Sequence, residues 1–303
     1  MEKTATTKTR RFFIGSHQID APIIDTGLYL VATPIGNLED ISIRALRCLA
    51  GVDIIYCEDT RNTSRLLDRY GIKTITKSYH DHNGAKIRPV ILDQLAAGKS
   101  IALVSDAGTP LVNDPGFKLV REAISQNSHV DLIPGPSAPI MALALSGLPS
   151  DRFMFAGFLP QKEKARHDLL LELAKIQSTL IFFETANRIE ASLKDIESLL
   201  PNRQIAIGRE LTKLHQETLR GSPSEILDII ISRGMLKGEI TLVIEPPHES
   251  EIDINSETII TRMKILLENL SVKEVSVKLA EETGLPRRDL YQMALAIKQG
   301  RNE

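Results

Sequence analysis

Four turns that carry glycine, proline, hydroxyl and acidic side chains lie in the first half of the chain, each directly after a short apolar run. They occupy residues 33–38, 58–61, 105–110 and 134–138. In parallel α/β sheets, ligands bind beyond the carboxyl ends of the strands. Glycine in such a turn lets the backbone approach a ligand closely. Together the four turns predict a ligand-binding cleft that is built largely from exposed backbone.

Several common nucleotide and nucleophile motifs are absent from the sequence. None of the 18 glycines is separated from another by a single residue. This excludes the G-x-G-x-x-G fingerprint of dinucleotide-binding domains and the similar loop of Rossmann-type methyltransferases. There is no P-loop, because Asp93 stands where the leading glycine before Gly98-Lys99-Ser100 would be. A G-x-S-x-G nucleophile elbow is also missing, so the cleft must use another kind of loop.

The elements that position these turns alternate between apolar runs and amphipathic segments. The runs at 28–31, 52–56, 101–104 and 130–133 are separated by helical patterns at 42–50, 63–70, 87–97 and 117–125. This alternation predicts a largely parallel sheet with helices on both faces. A second series of strands is predicted at 153–155, 179–183, 204–208, 217–220 and 239–244, with helices at 167–176, 189–200 and 225–231. Its late strands have fewer helices between them, so we expect a mixed sheet.

The C-terminal part of the chain has a different pattern. Residues 245–257 hold five acidic residues and no Lys or Arg, which is typical of a solvated linker. Three helical patterns follow at 257–270, 272–282 and 287–298, with a Gly-Leu-Pro turn before the last. They predict a helix-turn-helix in which Arg287 and Arg288 begin the helix that reads nucleic acid. The alternative is a bundle that contacts a dimer partner or caps a lobe.

The predicted architecture is α/β, with two α/β/α lobes, a cleft between them and a small helical domain. We assign residues 1–27 to a flexible N-terminal extension and residues 28–148 to the N-terminal lobe. The C-terminal lobe is predicted over 149–245, an acidic linker over 246–256 and the helix-turn-helix-like domain over 257–303.

Composition excludes several classes of protein. The 303 residues include 37 Lys and Arg against 39 Asp and Glu, and only 4% are aromatic, with no Trp. A globally basic coat for nucleic acid is excluded, and so is a surface of stacked aromatic platforms. No apolar run approaches the ~18 residues that a membrane span needs. We therefore expect no membrane partner, a cytoplasmic location and, if a polyanion binds, local contacts with it.

Two polar clusters outside the four turns are candidates for substrate contacts. His80-Asp81-His82-Asn83 could supply metal ligands, but no further ligand motif lies at the spacing of a metal site. A polar loop that lines the cleft is the favoured interpretation. Arg209-Glu210-Leu211-Thr212-Lys213 follows a predicted strand of the second lobe. It is either a functional turn or a strand end held by salt bridges.

The order of these motifs closely resembles that of the ribosomal RNA small subunit methyltransferase I family, in the tetrapyrrole methylase superfamily. The resemblance rests on residues 30–38, 58–61, 80–83, 105–110, 134–137, 147–153, 157–160, 209–213 and 237–239, and it covers the chain from about Leu28 onward. It implies the two-lobed tetrapyrrole-methylase-like fold, with S-adenosylmethionine bound between the lobes as methyl donor. It also implies a homodimer that acts on the small ribosomal subunit, methylating a cytidine ribose 2′-hydroxyl of 16S rRNA.

The resemblance, together with strand-end position, also implies site residues. The expected cofactor-binding residues are Thr33, Pro34, Gly36, Asn37, Ser105, Asp106, Ala107, Gly108, Pro134, Gly135, Ser137 and Ala138. The expected catalytic group is Glu58, Asp59 and Arg61, for which the alternative role is an internal ion pair that steadies the loop. The expected substrate contacts are His80, His82, Arg209, Arg287 and Arg288. Sulfonium methyl transfer requires no metal, and none is expected.

Three alternative functions share part of this evidence. A tetrapyrrole or precorrin methyltransferase has the same fold but would not need the C-terminal helices. An enzyme similar to diphthine synthase would act on a protein. A nucleotide-sensing module that binds RNA without turnover belongs to a different class. Labelled S-adenosylmethionine offered with small subunits, naked rRNA or uroporphyrinogen separates all four.

Overall fold

An N-terminal hairpin and two five-stranded sheets form the larger part of the chain in the computed structural model, which describes residues 10–234, 236–247, 257–268, 270–283 and 285–300. Residues up to Pro246 form one compact unit, and those from Pro247 form a second. The hairpin pairs β1 (Arg11–Ile14) with β2 (His17–Asp20) in antiparallel register.

The first sheet is entirely parallel, as the sequence predicts. Its elements in chain order are β3 (Gly27–Val31), α1 (Ile43–Gly51), β4 (Ile54–Cys57), α2 (Thr60–Arg69), β5 (Ile75–Ser78), α3 (Asp81–Ala96), β6 (Ser100–Val104), α4 (Phe117–Ser125) and β7 (Val130–Ile133). The strand order is β5-β4-β6-β3-β7. Every residue of β3 and β6 is buried, because helices cover both faces of the sheet. The connection after β3 leads to β4 on one side of the sheet and the connection after β6 leads to β7 on the other, and such a switch point is where ligands bind.

The second sheet is mixed, which confirms the prediction. It contains β8 (Phe153–Phe158), α6 (Glu163–Leu173), β9 (Thr179–Thr185), α7 (Ile189–Leu199), β10 (Ile205–Arg209), β11 (Glu217–Gly221), α8 (Pro223–Arg233) and β12 (Glu239–Ile244). The strand order is β11-β10-β12-β9-β8, and β8 pairs with β9 in parallel while the other pairs are antiparallel.

A helix of the first lobe packs on the second sheet. After β7 the chain forms α5 (Ala138–Ser146), whose Ala142 and Leu143 join a core cluster with residues of β9, β10 and β12. The guanidinium of Arg220 on β11 donates hydrogen bonds to the carbonyl oxygens of Leu145 and Ser146 at the end of this helix. The buried apolar side chains and the hydrogen bonds of Arg220 therefore fix the second sheet against the first lobe.

The second unit is a small helical cluster. It contains α9 (Glu257–Leu267), α10 (Val272–Thr283) and α11 (Arg287–Lys298), packed around Met263, Val275 and Leu290. Residues 248–256 of the predicted acidic linker lie outside the described residues. Among the described helices, none combines the length and the apolar character that a bilayer span requires.

The prediction of a flexible extension over residues 1–27 is wrong for the hairpin. Phe12 is fully buried in the core cluster of the first sheet, and Arg10 forms an ion pair with Asp53 at 2.9 Å. Within β1, Phe12 is buried and Phe13 is half-buried, while Arg11 and Ile14 are exposed. Residues 1–9 of the predicted extension lie outside the described residues.

Two elements of the first lobe also differ from the prediction. Strand β5 was not predicted because it is a short, mostly exposed edge strand with the sequence Ile-Thr-Lys-Ser. Helix α3 begins at Asp81 rather than Ile87. Its first turn is polar, and it contains Gly84 and Pro89, residues that normally disfavour a helix interior. The cluster at 80–83 is therefore the start of a helix and not a loop.

Replacing Phe12 by alanine tests the role of the hairpin. Removal of a fully buried phenylalanine typically costs about 3–5 kcal/mol, so Phe12→Ala should lower the free energy of unfolding by that amount in urea denaturation. Ile14→Ala on the same strand is the control, because Ile14 is exposed at its surface. Equal stability of the two variants would mean that the hairpin does not belong to the core.

Candidate functional site

A cavity of about 320 Å³ lies between the carboxyl ends of the first sheet and the edge of the second. The first lobe contributes Ile35, residues 106–109, residues 112–114 and the start of α5. The second lobe contributes Phe158, residues 183–185, Gly208, Leu211 and residues 238–241. The cavity is therefore formed by both lobes, at the switch point between β3 and β6.

Backbone pairing ties the loops after β3 and β6 together. The N–H of Thr33 donates to the carbonyl of Gly108 at 2.9 Å, and the N–H of Gly108 donates to the carbonyl of Thr33 at 3.0 Å. The hydroxyl of Thr33 also donates to the carbonyl of Ser105 at 3.3 Å. Gly108 has φ +79°, a backbone conformation that side-chain-bearing residues rarely adopt. The two loops thus form one rigid wall of the cavity.

The loop after β6 is strained at several positions. Leu111 and Asn113 have φ of 73° and 65°, although neither is glycine. Gly116 has φ +136°, and a Cβ there would lie 2.6 Å from the side chain of Leu111. Backbone in sparsely populated conformations clusters at ligand sites, where the surrounding structure holds it in place. This loop contains Asn113 and Asp114 of the cavity lining.

The N-terminus of α5 faces the cavity. Ser137 is the N-cap residue, but its side chain makes no capping hydrogen bond to the helix, and Ser137, Ala138 and Pro139 all line the cavity. Free backbone N–H groups and the helix dipole make such an N-terminus favourable for an anionic group. The hydroxyl of Ser137 adds a further polar group at the same place.

The second lobe supplies a wall that the sequence analysis did not predict. Phe158, Phe183, Leu211 and Ile240 make it largely apolar. Gly238 has φ +98°, and a Cβ there would lie 2.4 Å from the carboxylate of Glu210. The sequence motifs at 209–213 and 237–239 could have indicated this wall, because both lie at ends of strands in the second sheet.

The predicted cofactor residues fall into four groups in the structure. Asp106, Ala107, Gly108, Ser137 and Ala138 line the cavity, while Thr33, Pro34 and Ser105 are buried behind it. Gly36 and Asn37 contact the second lobe instead, where the N–H of Asn37 donates to the hydroxyl of Thr212 at 3.0 Å. Pro134 and Gly135 are exposed and lie outside the lining.

The three predicted catalytic residues lie next to the cavity, outside its lining. Arg61 donates to both carboxylate oxygens of Asp59, and its own backbone N–H donates to the same carboxylate at 2.8 Å. These hydrogen bonds lower the pKa of Asp59 to about 2. The ion pair that was the alternative interpretation is therefore present. Glu58 is not part of that pair.

Several carboxylates lie close together beyond the carboxyl ends of the strands of the first sheet. Burial, followed by the charges of Asp106 and Asp114, raises the pKa of Glu58. Burial also raises the pKa of Asp114; a hydrogen bond with Ser105 opposes this effect, and the charge of Asp106 adds to it. Asp106 itself accepts hydrogen bonds on both oxygens, from the N–H of Asp59 and the side chain of Asn62, each at 2.9 Å. Glu58 and Asp114 are thus the groups whose ionisation the surroundings disfavour most.

The predicted substrate contacts occupy different places. His80 precedes α3 and lines a second cavity, and His82 is exposed with its ring 5.9 Å from that of His80. Arg209 forms an ion pair with Glu217 at 2.5 Å and donates to the carbonyl of Lys237 at 2.9 Å, so the salt-bridged strand end is present. Arg287 and Arg288 are exposed in the first turn of α11, in the second unit.

The described part of the chain holds no group of three His, Cys, Asp or Glu side chains arranged to bind a metal ion. The four residues 80–83 do not converge as ligands: the side chain of Asn83 accepts from the backbone N–H of His80 at 2.9 Å.

Comparison with known proteins places the chain in a family. Residues 27–227 match the family described as Tetrapyrrole (Corrin/Porphyrin) Methylases, and residues 254–298 match the RsmI C-terminal HTH domain. Ribosomal RNA small subunit methyltransferase I of Mesorhizobium japonicum is 44% identical over 292 residues, which is 96% of this chain and 98% of the relative. The protein of the same name from Escherichia coli O157:H7 is 43% identical over 88% of this chain and 94% of the relative.

Solved structures share the fold at low sequence identity. Diphthine synthase superimposes with a TM-score of 0.56 at 14% identity, covering 72% of this chain and 89% of that one. Uroporphyrin-III C-methyl transferase from Thermus thermophilus, complexed with S-adenyl homocysteine, gives a TM-score of 0.51 at 16% identity, covering 72% and 97%. These likenesses show the two-lobed fold alone, and the specific assignment comes from the sequence relatives. The chain belongs to the tetrapyrrole methylase family and, within it, to the ribosomal RNA small subunit methyltransferase I family.

Proposed function

We propose that the protein transfers a methyl group from S-adenosylmethionine to the ribose 2′-hydroxyl of a cytidine in 16S rRNA of the small ribosomal subunit. The observation that carries this proposal is 44% identity along 96% of the chain to a relative named as a small-subunit rRNA methyltransferase. The second match, to a helix-turn-helix domain at the C-terminus, favours a nucleic-acid substrate over a tetrapyrrole.

The cavity between the lobes suits S-adenosylmethionine in size and chemistry. Its volume of about 320 Å³ lies in the range of about 300–1,000 Å³ that is typical of small-molecule sites. The apolar wall with Phe158, Phe183 and Ile240 offers a surface for the adenine ring. The N-terminus of α5 with Ser137 offers donors for the carboxylate of the methionine moiety. Asp106, Ala107 and Gly108 line the part of the cavity between the apolar wall and the N-terminus of α5.

The main contribution of the protein to this reaction is to hold the two reactants in position. When bound, S-adenosylmethionine supplies a methyl group activated by its sulfonium, so the carbon–sulfur bond breaks toward sulfur as the bond to the ribose oxygen forms. Orientation of the reactants alone can contribute about 7–11 kcal/mol to lowering the barrier. A carboxylate that accepts the hydroxyl proton adds about 10²–10⁴-fold. Of the acidic residues near the cavity, Asp59 and Asp106 accept several hydrogen bonds, whereas Glu58 and Asp114 have pKa values raised by burial, so these two are the candidates for the proton acceptor.

Further parts of the proposal follow from the family. We expect a homodimer, and a reaction in the cytoplasm because the small subunit is there. The exposed Arg287 and Arg288 of α11 are the proposed phosphate contacts of the helix-turn-helix. Thr33, Pro34 and Ser105 support the cofactor site from behind, and Gly36 and Asn37 do so through their contact with the second lobe.

Incubation with labelled S-adenosylmethionine tests the function directly. Small subunits that lack the modification should become labelled on a cytidine ribose, while uroporphyrinogen should not. Label in the tetrapyrrole, or in a protein fraction, would replace the proposal by one of the two related enzyme activities. Binding of subunits without any label would indicate an RNA-binding module.

Substitution of Gly108 tests the cofactor site. Valine at φ +79° costs about 1–3 kcal/mol of backbone strain. The loop relieves this strain by moving, so Gly108→Val should weaken S-adenosylhomocysteine binding about tenfold or more in calorimetry. Gly234→Val is the matched control, because Gly234 has φ +78°, no atom close to its Cβ direction and no place in the cavity. Identical affinity of both variants would contradict the placement.

Substitution of two arginines tests the role of the second unit. Each phosphate contact on single-stranded RNA contributes about 0.7 to the slope of log affinity against log salt. Arg287→Gln/Arg288→Gln should therefore weaken subunit binding and flatten this slope. Lys273→Gln/Lys278→Gln removes the same charge from exposed positions of α10 and should have the smaller effect. Equal effects of the two pairs would argue for the bundle interpretation of these helices.

Removal of metal ions tests whether the reaction needs one. Methyl transfer from a sulfonium needs no Lewis acid, so enzyme dialysed against chelator should retain its full rate when Mg²⁺, required by the subunits, is the only divalent ion added. A rate that returns only after addition of a transition metal would contradict this and would revive the metal interpretation of His80 and His82.

A further inference from the structure

A second cavity of about 310 Å³ lies on the first lobe beside the cavity between the lobes. Residues after β5 and at the start of α3, including Asp81 and Arg88, form one side, and residues 114–118, at the start of α4, form the other. Among the residues that the structure describes as lining them, Asp114 alone belongs to both cavities. The two cavities therefore meet at Asp114.

Two helices begin at this second cavity. Helix α3 has 16 residues and starts after His80, and α4 has nine residues and starts after Gly116. Gly116 has no side chain to cap α4, and the first turn of α4 contains no acidic residue. The free N–H groups of such a turn attract an anion. Lys118, which is exposed in the same turn and lines the cavity, adds a full positive charge.

Two other side chains of the lining are a histidine before α3 and an aromatic residue at the start of α4. The Nδ1 atom of His80 is buried, and the His80 side chain forms the capping box of α3 with the backbone of Asn83. Phe117 is a large apolar side chain that is 67% exposed, and the guanidinium of Arg121 lies 5.6 Å from its ring centre. An exposed ring of this kind suits stacking with a nucleobase. Arg88, by contrast, is held by Glu122 at 2.8 Å.

We propose that the second cavity binds the acceptor nucleotide of the RNA, with a phosphate at the N-terminus of α4 and Lys118, the base near Phe117, and the ribose hydroxyl directed toward Asp114. This inference rests on the proposed function and adds the place where its substrate binds. A ribonucleotide combines the three features that the cavity offers: an anion, an aromatic ring and a hydroxyl next to the phosphate-bearing carbon.

Asp114 is the group placed to accept the hydroxyl proton. It lies where the acceptor cavity meets the methyl-donor cavity, so the hydroxyl proton can pass to its carboxylate as the oxygen bonds to the methyl carbon. Burial raises the pKa of Asp114, which makes its carboxylate a stronger base than an exposed aspartate. Glu58 lines neither cavity, so Asp114 is the better placed of the two carboxylates.

Steady-state kinetics with unmethylated small subunits and labelled S-adenosylmethionine test the proposal. Lys118→Gln and Phe117→Ala should each raise the KM for subunits about tenfold, the scale of one charge-assisted hydrogen bond or one stacked base. In both variants kcat and S-adenosylhomocysteine affinity should remain within a few-fold of wild type. Lys86→Gln is the matched control, because Lys86 is exposed on α3 and lies outside the lining. Asp114→Asn should lower kcat about 10²–10⁴-fold.

The outcomes separate this inference from the proposed function. Wild-type enzyme that does not label subunits would overturn both. Active wild type, with Lys118→Gln and Phe117→Ala no different from Lys86→Gln, would overturn the acceptor cavity and leave the function intact. An Asp114→Asn enzyme that keeps its kcat would remove Asp114 as proton acceptor. Direct filter binding of subunits gives the same comparison without turnover, with weakened binding expected for the first two variants and not for Lys86→Gln.

Discussion

The packing of α5 against the second sheet is the interaction on which the rest of the site depends. The helix follows β7 of the first sheet after only four residues, yet its Ala142 and Leu143 are buried among Ile181, Ala206 and Val243 of the second. Burying one leucine of this kind stabilises a fold by about 1.5–3 kcal/mol. The same helix presents its N-terminus to the cavity. Lobe arrangement and ligand site are therefore set by one element, and a second contact between Asn37 and Thr212 supports it.

Backbone rather than side-chain chemistry shapes the inner edge of the first lobe. The pairing of Thr33 with Gly108 and the positive φ of Leu111 and Asn113 hold the loop after β6 in a form that few sequences adopt. That loop carries Asp106 at one end and Asp114 near the other. The first steadies α2 through its hydrogen bonds, and the second stands between the two cavities. The strained loop after β6 thus contributes residues to the cavity between the lobes and to the second cavity.

Much of the fold could be predicted from the sequence, because buried parallel strands such as β3 and β6 are continuous apolar runs. Strand β5 and the hairpin could not, since Ile75–Ser78 is a polar edge strand and Phe12 is the one buried residue in the two strands of the hairpin. The turns that follow the predicted strands indicated the part of the cavity wall that the first lobe contributes, including Gly108 and Ser137. The opposite wall, with Phe183 and Leu211, depends on how the lobes meet, which no local pattern of residues encodes. The side-chain partners of Asp106 and Asp59 likewise arise only from tertiary contacts.

Hydrogen exchange of the full chain, with and without S-adenosylhomocysteine, tests most directly whether the donor site is shared between the lobes. We expect slower exchange of amides in peptides covering 105–116 and 138–141 of the first lobe, and also in peptides covering 205–211 and 238–241 of the second. Amides of the hairpin should be unaffected. Protection confined to the first lobe, with unchanged exchange across 205–211 and 238–241, would contradict a shared donor site.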